Sequence, residues 1–138
     1  METAPIIIID DDPDDLELIM DTFHELNVRN EIVVLTNSVK AFEYIINLKV
    51  QPFFILCDIN MPLMNGLELR EKINRNEKAR VMAIPFLFWS TLGKEGLVNR
   101  AYSLNIQGFF KKPNSLEKLK EIMAAIMNYW DYSDHPLT

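Results

Sequence analysis

Acidic side chains dominate the residues of this chain that could do chemistry, and each group of them follows an apolar run. Five aspartates occupy six positions directly after the run IIII, and Asp10 and Asp11 come first. Asp58 follows a second run, FFILC. Carboxylates that are brought together repel one another and raise their own pKa values, so a cation is their natural complement. Oxygen ligands that leave positions for water suit Mg²⁺, which commonly bridges carboxylates to a phosphate.

Two further polar side chains occupy comparable places later in the chain. Ser90 follows the run FLFW, and Lys112 follows GFFK. A hydroxyl and an ammonium group complement the carboxylates in charge and in hydrogen bonding. These side chains can act together only if the apolar runs lie side by side.

The apolar runs have the length of β-strands, and segments with helical spacing separate them. The predicted strands are residues 6–9, 32–35, 53–57, 86–89 and 106–110. Runs that are apolar on both faces are typical of a covered sheet, and the segments between them repeat apolar residues with a helical period. Strand and helix alternate five times. This predicts an α/β fold with a parallel sheet and helices on both faces. The doubly wound (βα)5 fold of this kind is flavodoxin-like, with sheet order 2-1-3-4-5, which is also the fold that the family resemblance given below implies. Ligands bind such sheets where strands 1 and 3 end.

Composition limits the class of protein. The 138 residues are 49% hydrophobic, which is enough for the core of one domain. The net charge of −6 argues against a binder of nucleic acid or of anionic membranes, because both need a basic face. The single cysteine, Cys57, fits a reducing compartment. The longest apolar run, residues 81–89, contains Pro85 and is too short to cross a bilayer. We therefore expect a soluble cytoplasmic protein.

Four motifs together resemble the receiver domain of two-component response regulators. They are IIIIDDDP, CDINMPLMNG, FLFWST and GFFKKP, and each stands at the carboxyl end of a predicted strand. The resemblance covers about residues 4–129 and implies a single receiver domain over residues 1–138. Residues 130–138 form a C-terminal tail, either frayed, which is the default, or an interaction arm. A stand-alone receiver has no output domain, so it would signal by binding another protein.

The resemblance assigns the acidic residues to phosphotransfer. Asp58 would be the phosphoacceptor that attacks the phosphorus of a phosphohistidine, carried by a sensor histidine kinase or a histidine phosphotransfer protein. Asp11, Asp58 and the backbone carbonyl of Asn60 would bind Mg²⁺ directly, and Asp10 would act through water. Such a protein catalyses its own phosphorylation and dephosphorylation, and it is not a turnover enzyme.

The resemblance also implies a switch on the face around strands 4 and 5. Lys112 would pair with the phosphoryl oxygens, and Ser90 would hydrogen-bond the phosphoryl group once it is present. Phe109 would turn inward as Ser90 moves, which changes the surface offered to a downstream protein. The family commonly has a cis bond before the proline that follows the lysine, here between Lys112 and Pro113. Dimerisation through the last sheet edge, giving a homodimer, would be ordinary for the family.

The neighbours of Ser90 depart from the family pattern. Thr91 stands where a smaller residue is common, which would narrow access to Asp58. Leu92 stands where a polar residue could position water. We therefore expect the acyl phosphate to decay slowly.

Other interpretations of the same residues lead to different functions. Capping of the first helix explains Asp12, Asp14 and Asp15, because acidic residues suit a helix N-terminus. A calcium loop is excluded, since Asp15 stands where glycine is required. A Mg²⁺-dependent phosphatase with an aspartyl nucleophile would usually have a second acid where Asn60 stands. A receiver-like interaction module that works without phosphorylation would be expected to have lost the acceptor aspartate or the lysine.

Overall fold

Strands alternate with helices along the chain in this computed structural model, which describes residues 4–91 and 96–135. Within these ranges the elements are β1 (Ile6–Ile9), α1 (Pro13–Glu25), β2 (Ile32–Leu35), α2 (Ser38–Ile46), β3 (Phe54–Asp58), α3 (Gly66–Arg75), α4 (Glu77–Met82), β4 (Phe86–Ser90), α5 (Leu97–Tyr102), β5 (Gly108–Lys111) and α6 (Leu116–Tyr132). All strand pairs are parallel, and the strand order is β2-β1-β3-β4-β5. The predicted α/β fold with sheet order 2-1-3-4-5 is confirmed.

The strands lie close to their predicted positions because their apolar runs are buried. β1 and β2 begin and end where predicted, and β4 extends one residue further, to Ser90. β3 is shifted by one residue, so that Asp58 is its last residue. β5 begins later than predicted, at Gly108. The polar residues of interest therefore lie at the very ends of the strands.

Two helices, rather than one, connect β3 to β4. One helix is expected between these strands, but α3 ends at Arg75 and α4 occupies the residues from Glu77 to Met82. Asn76 separates them, because its backbone is extended and its side chain accepts a hydrogen bond of 3.0 Å from the Ala79 N–H. Ala83 ends α4 in the left-handed conformation, with φ 50°. The asparagine N-cap is the sequence signal for this additional helix.

Two hydrophobic clusters, one on each face of the sheet, fix the helices. Successive β1 residues alternate between them: Ile7 and Ile9 belong to one cluster, and Ile6 and Ile8 belong to the other. The first cluster includes side chains of α2, α3, α4 and α5, and the second includes those of α1 and α6. Each buried isoleucine contributes roughly 1.5–3 kcal/mol relative to an exposed one. None of the described helices has the length and hydropathy needed to span a membrane.

The described part of the C-terminal segment is packed against the domain. α6 ends at Tyr132, beyond the predicted limit of the core at residue 129. His135 Nε2 lies 3.1 Å from the backbone oxygen of Phe53, and the two rings stack with their centroids 5.5 Å apart. The Trp130 ring lies 5.8 Å from the His135 ring. Aromatic side chains therefore give residues 130–135 a surface to pack on, and the assignment of residues 130–138 as a tail stays a prediction.

Candidate functional site

The carboxyl edge of the sheet brings the predicted acidic residues together. β1 and β3 are adjacent, with Ile9 level with Cys57, so Asp10 and Asp58 leave the sheet side by side. One carboxylate oxygen each from Asp10, Asp11 and Asp58 lies within 4.8 Å of the others. Asp10 is 0% exposed and Asp58 is 4% exposed, whereas Asp11 faces solvent. This acidic cluster therefore has a buried floor and an open side.

A glycine sets how closely α3 approaches the end of β3. The Gly66 N–H donates to the Ile59 oxygen at 2.8 Å. A Cβ atom at position 66 would clash with the backbone oxygen of Asp58 and would lie 2.9 Å from Ile59 Cα. Asn65 and Glu68 form a capping box at the start of α3, with hydrogen bonds of 2.9 and 3.0 Å. This turn holds the backbone that carries Asp58.

Lys112 reaches the acidic cluster from the end of β5. Its Nζ lies 3.3 Å from Asp58 Oδ1, 3.2 Å from Asp10 Oδ2 and 2.6 Å from Asp15 Oδ2, and its side chain is 8% exposed. The backbone N–H of Lys112 donates to the Ser90 oxygen at 2.9 Å, which ties the end of β5 to the end of β4. One ammonium group thus faces three carboxylates that come from two strand ends and a helix.

Asp15 belongs to this site, which corrects its assignment to helix capping. Asp12 is the N-cap of α1, and its side chain accepts a hydrogen bond of 2.9 Å from the Asp14 N–H. The capping interpretation therefore holds for Asp12, whereas the Asp15 carboxylate contacts Lys112. Asp15 lies in the first turn of α1, and no local sequence signal indicates this role, because its partner Lys112 lies 97 residues away in the chain.

Burial perturbs the titration of these carboxylates more than their mutual repulsion does. It raises the pKa of Asp10 to about 6, and the charge of Asp58 is only a smaller cause in the same direction. Burial also raises the pKa of Asp58, and Lys112 opposes that rise. For Lys112 itself burial favours the neutral amine, but the carboxylates of Asp15, Asp10 and Asp58 outweigh this effect and raise the pKa. Desolvation is therefore the main cost of assembling the cluster.

The remaining predicted site residues lie at the ends of β3 and β4 and within β5. Ser90 is the last residue of β4 and is 0% exposed. The Asn60 N–H donates to Asp58 Oδ1 over a long 3.4 Å, which directs this backbone group at the carboxylate. Phe109 is half-buried, and its ring meets the Phe88 ring edge-on with centroids 6.4 Å apart. The functional roles of these residues stay predictions.

Three features beside the acidic cluster can be compared with the sequence-based expectations: the Lys112–Pro113 bond, residues 91 and 92, and Cys57. The peptide bond between Lys112 and Pro113 is trans, in contrast to the cis bond that is common in the family. Thr91 is exposed, and Leu92 lies outside the described residues. Burial raises the pKa of the Cys57 thiol well above its ordinary value, as expected for a core residue rather than a redox sensor.

The acidic cluster fits a hard divalent cation. Asp10 Oδ1 accepts a hydrogen bond of 2.9 Å from the Asp12 N–H, but the buried Oδ2 accepts none from the residues that the structure describes, although Lys112 Nζ lies 3.2 Å away. A buried oxygen without a hydrogen bond is costly unless another partner binds it. All the side-chain atoms of the cluster that could bind a metal are carboxylate oxygens, which are the ligands that Mg²⁺ prefers. Asp10, Asp11 and Asp58 are therefore suitable ligands for Mg²⁺.

Comparison with known proteins identifies the family. The family model described as the response regulator receiver domain matches residues 6–124. The chain belongs to this family. Receiver domains are components of two-component signalling, so the acidic cluster of this receiver domain is consistent with a phosphoacceptor role.

Individual relatives of this receiver domain include regulators with the same fold. The probable methanogenesis regulatory protein FilR2 of Methanothrix harundinacea is 30% identical over 129 residues, which cover 91% of this chain and 82% of that protein. The phosphorylated cyanobacterial phytochrome response regulator RcpA has a TM-score of 0.86 at 23% identity, covering 98% of this chain and 99% of that one. The Mn²⁺-bound form of response regulator Rcp1 has a TM-score of 0.83 at 21% identity, covering 97% and 99%. These two structures show that the fold is shared.

Proposed function

We propose that this receiver domain is a phosphorylation switch in which Asp58 accepts a phosphoryl group from a phosphohistidine. A carboxylate oxygen of Asp58 would attack phosphorus, and the phosphorus–nitrogen bond to the donor imidazole would break. The electron pair of that bond would return to the imidazole ring. One observation carries this proposal: the Lys112 ammonium lies 3.3 Å from Asp58 Oδ1 inside a largely buried acidic cluster. A cation at that point can neutralise an incoming phosphoryl group.

The residues around Asp58 suit a single transfer to the protein itself. The Asn60 N–H orients Oδ1 of Asp58, and Lys112 offers hydrogen-bond donors to phosphoryl oxygens. Asp11, Asp58 and the Asn60 carbonyl would hold Mg²⁺ directly, and Asp10 would act through water. The bound metal would supply positive charge that screens the repulsion between the Asp58 carboxylate and the incoming phosphoryl group. The Mn²⁺-bound form of Rcp1, which has the same fold, is consistent with such a metal. Because the product stays bonded to Asp58, the domain is a phosphoacceptor rather than a turnover enzyme.

Ser90 and Phe109 would couple the modified site to a surface. The Ser90 hydroxyl would hydrogen-bond the phosphoryl group only in the phosphorylated state. A contact that exists in one state shifts the equilibrium toward that state. Phe109, half-buried against Phe88 in this structure, would then turn further inward. The surface so changed would comprise β4, α5, β5 and α6.

We expect this receiver domain to bind three kinds of protein. The phosphodonor would be a sensor histidine kinase or a histidine phosphotransfer protein, and the target is an unidentified downstream protein. A second copy of the chain could pair along the β5 edge to form a homodimer. We expect no nucleic-acid or membrane partner, because the net charge is −6. A cytoplasmic location fits the free, buried thiol of Cys57.

Intact mass spectrometry after incubation with a small-molecule phosphodonor tests the proposal. With Mg²⁺ we expect a single phosphoryl addition that is lost slowly on standing, because Thr91 follows Ser90 where the family commonly has a smaller residue. The addition should be absent without Mg²⁺ and in Asp58→Asn. It should persist in Asp14→Asn, which removes the same charge at an exposed position.

Two results would contradict this function. If no adduct forms under any condition, the domain is better described as a receiver-like interaction module that works without phosphorylation. If phosphate is released continuously from the donor and no adduct accumulates, a Mg²⁺-dependent phosphatase becomes the better description.

A further inference from the structure

Lys112 has a carboxylate partner that lies outside the acidic cluster. Its Nζ lies 2.6 Å from Asp15 Oδ2, which is the distance of a charge-assisted hydrogen bond. The oxygens of Asp10 and Asp58 are more distant, at 3.2 and 3.3 Å. The Asp15 side chain is 24% exposed, so it faces the ammonium group from the rim of the site rather than from its floor.

We propose that Asp15 is a positioning residue, the counter-ion that holds the Lys112 ammonium beside Asp58. It acts through Lys112 and not on the reacting atoms. Its effect on phosphotransfer rests on the proposed function of Asp58, whereas the ion pair itself can be tested without any phosphodonor.

Charge balance explains why Lys112 needs a partner of its own. Asp10 and Asp58 contribute oxygens to the three-carboxylate cluster that fits a divalent cation, but Asp15 does not. When a cation binds those oxygens, Lys112 lies near a second positive charge. It also shares two of its three carboxylate partners, Asp10 and Asp58, with that cation. Without Asp15, repulsion between the two cations would favour a Lys112 side chain turned toward solvent. Asp15 keeps the ammonium group within reach of Asp58 under those conditions.

The surroundings of the ammonium group restrict where it can move. The Trp89 ring lies beneath it, with 4.7 Å between Nζ and the ring centroid. Asp15 therefore pairs with an ammonium group that lies over an aromatic face and is also close to the buried Asp10 and Asp58 carboxylates. This arrangement leaves the ammonium group in one narrow region next to the acceptor oxygen.

A role limited to the N-terminus of α1 does not account for the contact. Asp12 already caps the helix through its own side chain. Asp14 lies in the same turn and carries the same charge, but it is exposed, and the ion pairs of Lys112 within the described residues are with Asp10, Asp15 and Asp58. Asp14 is therefore a matched control for the charge of Asp15.

A double-mutant cycle on unfolding in metal-free buffer tests the ion pair directly. The cycle compares Asp15→Asn, Lys112→Met and the double variant by urea denaturation of the full chain. We expect a coupling of at least about threefold in the unfolding equilibrium constant. The cycle of Asp14→Asn with Lys112→Met should show no coupling. Additive effects of Asp15→Asn and Lys112→Met would overturn the proposal.

Phosphorylation kinetics at saturating Mg²⁺ test the consequence for the acceptor. Asp15→Asn should lower the maximal rate of Asp58 phosphorylation by a small-molecule donor about tenfold, with the half-saturating donor concentration unchanged. Asp15→Glu, which keeps the charge, should restore part of the rate, and Asp14→Asn should behave like the wild type. In the Lys112→Met background, Asp15→Asn should have no further effect, because its partner is already gone.

The two experiments separate failure of this inference from failure of the proposed function. A wild-type chain that takes no phosphoryl group overturns phosphoacceptance, and the unfolding cycle still decides whether Asp15 holds Lys112. A wild-type chain that is phosphorylated no faster than Asp15→Asn overturns the positioning role alone. The positioning role is also overturned if Asp15→Asn slows phosphorylation by the same factor in the wild-type and Lys112→Met backgrounds.

Discussion

At the scale of single residues, Asp10 is the carboxylate most strongly shaped by its surroundings. It is 0% exposed, and among the described residues its Oδ2 has only the ion pair with Lys112 at 3.2 Å. Taking a charge out of water costs several kcal/mol unless partners compensate it. Asp10 is therefore expected to lower the stability of the metal-free domain in exchange for a cation-binding oxygen.

Neutralising Asp10 should stabilise the metal-free domain at neutral pH. Its folded-state pKa of about 6 lies above the ordinary value of 3.8, so the folded state holds the proton more tightly than the unfolded state does. The stability that protonated Asp10 provides is complete below about pH 4 and is lost as the pH rises through about 6. Asp10→Asn should raise the free energy of unfolding at pH 7 by roughly 1–3 kcal/mol, measured by urea denaturation.

An exposed aspartate on α1 provides the control for this effect. Asp21→Asn removes the same charge from the surface, and its pH profile of stability should follow the wild type. Between about pH 4 and 6, Asp10 lowers the free energy of unfolding of the control as the pH rises. The free energy of unfolding of Asp10→Asn should lack this decrease. An Asp10→Asn variant that is no more stable than the wild type at neutral pH would show that burial does not dominate at this site.

At the scale of elements, turns decide how close two elements can come at the site. α3 begins directly against the end of β3 because Gly66 has no side chain to separate them. The N-terminal turn of α1 acts similarly, since it brings Asp15 across to the end of β5. Both contacts depend on the first turn of a helix rather than on its length.

Gly66→Ala should disturb the backbone of Asp58. The new Cβ would clash with the Asp58 oxygen and with Ile59 Cα, and both are backbone atoms that cannot move without shifting the strand end. We expect a loss of at least about 2–3 kcal/mol in the free energy of unfolding, together with slower phosphorylation of Asp58. Urea denaturation and intact mass measurements would record these two effects.

Gly96→Ala separates steric clash from backbone strain. Gly96 has φ 82°, but a Cβ there would meet no atom of the described residues within 4 Å. Its replacement should therefore cost only about 1–2 kcal/mol, the penalty of a left-handed backbone for a residue with a side chain. If Gly66→Ala costs less than Gly96→Ala, the close approach of α3 to β3 is not a tight constraint.

At the scale of the whole molecule, the carboxyl edge of the sheet couples the fold to cation binding. Four carboxylates lie there, those of Asp10, Asp11, Asp15 and Asp58, and one ammonium group, that of Lys112, pairs with Asp10, Asp15 and Asp58. The excess negative charge opposes folding, and only the folded chain brings the carboxylates together. A ligand that binds only the folded state stabilises it by mass action.

Mg²⁺ should therefore raise the unfolding temperature, and a chelator should reverse the change. At a Mg²⁺ concentration about 100 times the dissociation constant, the expected stabilisation is about 2.7 kcal/mol. Thermal unfolding followed by circular dichroism would measure it. Asp11→Asn removes an exposed carboxylate of the acidic cluster, and this variant should need more Mg²⁺ for the same shift. An unfolding temperature that is independent of Mg²⁺ would contradict the assignment of a metal to this cluster.

Most of the fold and the centre of the site could be predicted from local pattern. The run that forms β1 ends where predicted, because a buried strand must be apolar along its whole length, and the apolar run of the edge strand β2 also ends where predicted. Asp10 and Asp58 meet because parallel strands end at the same edge of the sheet. α4 escapes prediction, since a six-residue helix is too short to show a helical stripe.

The sequence by itself determined the alternation of strands and helices and the set of polar residues at the strand ends, because hydrophobic period and strand ends are local properties. The order of the sheet followed from the resemblance of four motifs to a known family. Only the tertiary structure decided that Asp15 pairs with Lys112 and that His135 packs on Phe53. These partners lie 97 and 82 residues apart in the chain. Their contacts depend on how each helix is rotated and seated against the sheet. That orientation results from packing of the whole core, which no short stretch of sequence specifies.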